Sequence, residues 1–334
     1  MRHLSLVPGG DGGELRFRLL PRCELPPPGA AIDCAVSGGA DSLALLVLAV
    51  TAGCQVTAWH VDHGLRPGSA AEVDVVAAAA DRYGAQIRSL RIEVSAGPNL
   101  EDRARRARFD ALPAGVCTGH TAEDQAETML LALLRGAGLD GLTGMGPGGE
   151  EGDGRDGDDS DRARPVPAAP SGPKRVRHPL LGLRRAETAA LCEGEGLVPV
   201  VDPTNDDLAL VRNRVRHQLL PLAAEVAGRD VVPLLARTAA LLRADAEVLG
   251  EAAAVLDPTD ASALAAAPSG VARRAVRGWL ATLGPSGSPP YPPTAAAVER
   301  VLAVARGEAL ACEVASVGRV ARHRRRLVVE GPQW

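Results

Sequence analysis

The first part of the chain switches repeatedly between short apolar runs and helical periodicity. Residues 30–36 form an apolar run, interrupted by Asp33, with β-branched members, the pattern of a buried strand. Residues 43–50 follow as an apolar helix and 55–61 as a second strand. Residues 69–83 form a helix opened by Ser69. Residues 86–94 alternate as a third strand, and 100–112 read as a basic helix. A short strand at 116–118 then enters a helix over 123–135. Strands alternating with helices at this spacing predict an α/β fold built on a doubly wound parallel sheet.

Two stretches depart from this pattern. Residues 1–29 are rich in Gly and Pro and read as an irregular N-terminal segment. Residues 147–173 read as a disordered acidic insertion, because 150–161 hold seven acids among four Gly or Ser, followed by prolines at 165, 167, 170 and 173. Helical patterns resume at 184–194, 208–226, 230–254, 261–283 and 294–306. Residues 312–330 read as short strands carrying Arg319, Arg322, Arg324, Arg325 and Arg326. The expected organisation is an α/β domain over 30–216, holding the insertion, followed by a mainly helical domain over 217–334.

Composition narrows the class. The length of 334 residues suits roughly two domains. With 46% apolar and 23% charged residues the chain can bury a core. A net charge of −4 excludes a uniformly basic protein that coats nucleic acid. One lysine stands against 36 arginines, which reads as genomic base composition rather than function. The six cysteines, at 23, 34, 54, 117, 192 and 312, form no C-x-x-C pair, so a zinc ribbon or iron–sulfur cluster is not expected. Reduced thiols and a cytoplasmic location are expected instead. No leader pattern and no run of about 18 apolar residues is present, so no membrane partner is expected.

Two strand-to-helix junctions carry candidate chemistry. The first strand runs into Ser37-Gly38-Gly39-Ala40-Asp41-Ser42 and then a helix. Such glycines let backbone approach a phosphate, and the helix N-terminus presents N–H groups to the anion. Asp41 has the oxygen chemistry that holds Mg²⁺. The loop lacks the Gly-Lys of a Walker A motif and is not G-x-G-x-x-G. An ordinary strand–helix turn is the plain alternative. The second junction is Gly119-His120-Thr121-Ala122-Glu123-Asp124-Gln125-Ala126-Glu127. Asp124 and Glu127, three apart, share a helix face. Acids in a first turn also suit the helix dipole, but the dipole does not account for the histidine before them. In a doubly wound sheet the loops after strands one and four can line one crevice. Further along, Arg212-Asn213-Arg214-Val215-Arg216 spreads arginines around a helix start, as polyanion binding would require.

These motifs, in this order, resemble the tRNA(Ile)-lysidine synthases, within the N-type ATP pyrophosphatase (PP-loop) superfamily. The likeness covers roughly residues 30–222 apart from the insertion. It rests on Ser37–Ser42, His60-Val-Asp-His63-Gly-Leu-Arg66, Asn99-x-Glu-x-x-Ala-Arg105, the run from His120 to Leu142, Pro179-Leu-Leu, Asp202-x-x-Asn205 and Arg212-Asn213-x-x-Arg216. The resemblance implies that ATP adenylates the C2 oxygen of the wobble cytidine in a tRNA(Ile) with a CAU anticodon, releasing pyrophosphate. Free L-lysine then displaces AMP to give lysidine. It implies Ser37, Gly38, Gly39, Ala40, Asp41 and Ser42 as the ATP loop and Asp41 as the Mg²⁺ residue. Asp41, Arg105, His120 and Asp124 are implied as catalytic, and Glu127, Arg212 and Arg216 as substrate-binding. Residues 217–334 become the tRNA-binding domain, while a homodimer is left open. Where the family often has Asp-Asp this chain has Glu123-Asp124, and where it often has His or Asn this chain has Thr121, so no metal role carries over to Glu123. Two other readings stay open: another ATP pyrophosphatase, such as a tRNA thiolase or an amidotransferase synthetase, and an RNA-binding module without catalysis. The missing paired cysteines and glutaminase-like segment weigh against the first. Intact Asp41, His120 and Asp124 weigh against the second.

Overall fold

A computed structural model of the chain describes residues 11–62, 64, 69–92, 100–146, 176–283, 293–315 and 317–331. The acidic stretch 147–173 lies outside the described residues, as do His63, Arg66 and Asn99. The chain divides into two compact units, the first closing at Leu242 and the second opening at Arg243.

The first unit is the α/β part. Its strands are β1 (Ala31–Ala35), β2 (Gln55–Asp62) and β3 (Gln86–Arg91), paired in parallel in the order β1-β2-β3. The other edge of β1 is extended by single parallel bridges, Cys34 to Cys117 and Cys117 to Arg177. Read across, the order is β3, β2, β1, Cys117, Arg177. The order therefore reverses between β1 and Cys117, and such a reversal opens a crevice beyond the carboxyl ends of the strands.

Helices α1 (Asp11–Leu19), α2 (Ala40–Thr51), α3 (Ser69–Tyr83), α4 (Leu100–Ala111), α5 (Ala122–Leu134), α6 (Leu139–Leu142) and α7 (Arg185–Gly194) complete the sheet region. Residues 43–49 of α2 are fully buried, which explains why that helix is apolar on every face. Ile32, Cys34 and Val36 of the first strand region join its core, with Val56 and Ala58. The expectation of an irregular segment over 1–29 needs one correction, because residues 11–19 are helical. Leu19 is buried in the core, and Leu15 and Leu20 pack against it. Tertiary burial thus outweighs the low helix propensity of Gly12 and Gly13. The expected strand at 116–118 contracts to the bridge at Cys117.

From Val211 the chain forms one continuous helical stretch, α8 (Val211–Arg214), a π-turn (Val215–Leu219) and α9 (Leu220–Ala227). It packs on α5 through Ala122, Ala126, Leu131, Val215 and Leu220. Helix α10 (Val232–Ala254) follows, and the division between the units falls within it.

The second unit contains α11 (Ala261–Ala266), α12 (Ser269–Thr282) and α13 (Ala295–Arg306). These are joined by an antiparallel sheet of β4 (Ala311–Val314), β5 (Gly318–His323) and β6 (Arg326–Glu330). The single helix expected over 261–283 is broken at Pro268, whose ring cannot continue a helix. Val276, Val301, Val304 and Val320 are at the centre of this unit's own core.

Candidate active site

The Ser37–Ser42 loop leaves β1 at its carboxyl end and turns into α2. Gly38 has φ of +90°, in the left-handed region that favours glycine. Its absent Cβ would also stand 3.1 Å from Val200 Cγ2. The Ser42 hydroxyl donates to Gly39 O (2.8 Å) and accepts from Ser37 N (3.2 Å), which folds the loop back on itself. This is the shape of an anion cradle at a helix N-terminus.

The second junction presses against the first. A Cβ on Gly119 would lie 2.5 Å from Asp41 O and 2.9 Å from Ser42 N, so glycine alone fits there. Thr121 starts α5, and its N–H donates to Asp124 Oδ2 (2.8 Å). That leaves Asp124 Oδ1 free to turn toward cations. Arg185 Nη2 is 2.9 Å from it, Arg212 Nη2 3.4 Å and Arg216 Nη2 3.6 Å. One turn further along α5, Glu127 is fully buried. It takes a two-pronged contact from Arg216, Nε to Oε1 at 2.7 Å and Nη2 to Oε2 at 3.0 Å, and another from Arg212 Nε at 2.8 Å.

Arginines 212 and 216 are four apart, so they share a face and converge on Glu127. They do not spread around the helix as spacing by two suggested; Arg214, between them, is exposed. Asn213 serves the backbone. Its Nδ2 donates to Thr204 O (2.8 Å) and Asp207 O (2.9 Å), pinning the turn that holds Asp202 and Asn205.

Arg185 was not singled out from the sequence, yet it joins the two junctions. Its Nε lies 3.5 Å from Asp41 Oδ2, and Nη1 lies 3.5 Å from Glu127 Oε1. Three carboxylates (Asp41, Asp124, Glu127) thus meet three guanidiniums (Arg185, Arg212, Arg216). Asp41 also accepts from the Thr188 hydroxyl. Burial pushes the Asp41 carboxyl up, against the Thr188 hydrogen bond that lowers it. Burial also pushes Asp124 up, but the charges of His120, Arg185 and Arg212 and the Thr121 N–H outweigh it and hold Asp124 below the usual carboxylate range. Glu123 is engaged elsewhere, with Arg184 Nε (2.7 Å) and the backbone N–H of Arg185 (2.9 Å), where it fastens the start of α7.

His120 follows Gly119, and its Nδ1 is 2.7 Å from the Thr118 hydroxyl. His60 is buried at the carboxyl end of β2, with Nδ1 3.0 Å from Val36 O. Arg105 lies on α4, and its side chain is outside the described residues. Among the described residues no group of three His, Cys, Asp or Glu is placed to hold a metal. Asp41 is the carboxylate within the loop. One carboxylate beside a phosphate cradle fits Mg²⁺, which takes much of its coordination from nucleotide phosphates and water.

A glycine cradle at the topological switch point, with an acidic helix start packed against it, defines an ATP-utilising domain of the PP-loop class. The PP-loop domain model matches residues 23–223, and the TilS substrate binding domain model matches residues 260–328. Similar curated relatives are the tRNA(Ile)-lysidine synthases of Nocardia farcinica (40% identical over 78% of this chain and 78% of that one) and Rhodococcus erythropolis (40%, over 76% and 74%). That of Mycobacterium leprae is 39% identical over 76% of each chain. The chain belongs to the tRNA(Ile)-lysidine synthase family.

Proposed function

We propose that this chain ligates free L-lysine to C2 of the wobble cytidine in a tRNA(Ile) with a CAU anticodon, using ATP and Mg²⁺. The observation that carries the reading is the meeting of the phosphate cradle with Asp124 and Glu127 at one crevice, bridged by Arg185. The C2 oxygen attacks the α-phosphorus, pyrophosphate leaves, and the lysine ε-amine then displaces AMP from C2.

Ser37, Gly38, Gly39, Ala40 and Ser42 hold the pyrophosphate portion through backbone N–H groups and hydroxyls, stabilising charge on the leaving group. Asp41 holds Mg²⁺, which when bound neutralises phosphate charge. Arriving phosphates draw Arg185, Arg212 and Arg216 partly away from the carboxylates. Asp124 and Glu127 then offer negative charge to the lysine ammonium. That ammonium must lose a proton before attack, because its pKa is about 10.4 in water. His120 handles protons at the reacting cytidine, and Arg105 neutralises phosphate charge. The second unit grips the tRNA.

Incubating the protein with α-labelled ATP, Mg²⁺, lysine and the tRNA transcript tests the reading. The expected result is AMP release that needs both tRNA and lysine, with lysine incorporated into the tRNA. AMP release with tRNA but indifferent to lysine would assign a different tRNA-modifying activity. No AMP with tRNA still bound would leave a binding module.

A further inference from the structure

His178 lies outside every motif so far assigned a chemical role. It precedes Pro179, and its Nδ1 is 2.7 Å from Thr118 Oγ1 and 3.0 Å from His120 Nδ1. The two rings are 4.9 Å apart between centroids, with planes inclined at 63°. Thr118 Oγ1 is therefore shared, since His120 Nδ1 lies 2.7 Å from it on the other side.

Hydrogen counting constrains this trio. A hydroxyl carries one hydrogen, and each neutral imidazole nitrogen carries either a hydrogen or a lone pair. Were both Nδ1 atoms bare, the one hydroxyl hydrogen, which also has Arg177 O at 3.4 Å, would serve at most one ring. The other ring would set its lone pair against the oxygen's at 2.7 Å. So at least one ring carries its hydrogen on Nδ1, facing Oγ1 and, at 3.0 Å, the Nδ1 of the other ring. The hydroxyl itself is held in place: Thr118 is buried and its backbone N–H donates to Arg177 O (2.9 Å), next to the sheet bridge at Cys117. A hydrogen placed on one ring thus constrains the other.

We infer that His178 is a positioning residue for His120, acting through the Thr118 hydroxyl to set the orientation and tautomer of the His120 ring. This rests on the lysidine reading of the site, in which His120 moves protons. Two partners on the Nδ1 side fix which form the Nε2 side offers to the reacting groups.

Full-length protein labelled with ¹⁵N-histidine reads the tautomer directly, with the His120 signals identified by their loss in His120→Gln. His178→Ala is expected to change the balance of Nδ1–H and Nε2–H on His120. His178→Asn, whose amide reaches the place of Nδ1, is expected to restore it. In lysidine formation His178→Ala should lower kcat by at least about tenfold, with KM for ATP and tRNA little changed, and His178→Asn should recover most of that loss. Thr118→Val, which removes the hydroxyl at similar volume, should reproduce the His178→Ala result. It decides the matter if His178→Ala does not fold. Wild-type tautomer and kcat in folded His178→Ala, or in folded Thr118→Val, would overturn the inference. A wild-type protein that makes no lysidine would overturn the functional reading instead, while the ¹⁵N spectra would still decide the coupling.

Discussion

Glu127 has no exposed surface and faces three arginines that keep 20–31% of theirs. Removing its carboxylate strands positive charge in a buried place, and breaking such a pair costs about 3–5 kcal/mol. Glu127→Ala is expected to lose stability toward the lower end of that range, because the arginines are partly solvated; urea unfolding measures it. Asp124 gives a pH signature. Its carboxyl is held low in the folded chain. Its stabilising contribution is therefore complete above the unfolded value of about 3.9 and fades as pH falls below it. Thermal unfolding followed from neutral pH to below 4 should show a shallower acid loss in Asp124→Asn than in the parent. The placement of Asp41, His120, Asp124 and Glu127 at two strand–helix junctions was legible in the sequence, because such junctions are written in neighbouring residues. That of Arg185 and His178 was not. Adjacent Arg184 and Arg185 read alike, and only the fold sends Arg184 to Glu123 and Asp230 and Arg185 to the three site acids.

At the scale of elements, the site depends on how closely two loops approach. Gly119 lets the α5 junction lie against the backbone of Asp41 and Ser42. Gly119→Ala must force these loops apart, at a cost of about 1–3 kcal/mol, and should weaken ATP binding as well as stability. Calorimetric titration with ATP, beside a melting curve, measures both. Unchanged affinity would mean that the loops relax without disturbing the cradle. The arginines between residues 319 and 326 make contacts within their own unit. In the structure Arg322 donates to Ala305 O (2.7 Å), Arg326 to Thr259 Oγ1 (2.7 Å), Arg325 to Ser262 Oγ (3.3 Å), and Arg319 Nε lies 3.5 Å from Glu330. Internal contacts of this kind depend on partners far along the chain, so charge clustering alone does not reveal them.

For the whole molecule, each unit has its own core, one around α2 and the parallel sheet, the other around α12, α13 and the antiparallel sheet. Two cores predict two unfolding transitions. ATP with Mg²⁺, bound in the first unit, should stabilise that unit by about 2.7 kcal/mol at a hundredfold excess over Kd and leave the other in place. Scanning calorimetry checks this, and one transition moving as a block would show that the two cores unfold together. The sequence by itself determined the alternation of strands and helices, the phosphate loop, the acidic helix start and the family. Each of these is written in neighbouring residues, through side-chain period, glycine placement and the chemistry of a helix N-terminus. Tertiary structure alone decided the helix at residues 11–19, the pairing of Arg212 and Arg216 with Glu127, the bridging position of Arg185 and the hydroxyl shared by His120 and His178. Those depend on burial and on charges brought together across tens of residues, and contacts of that range leave no periodicity in the chain.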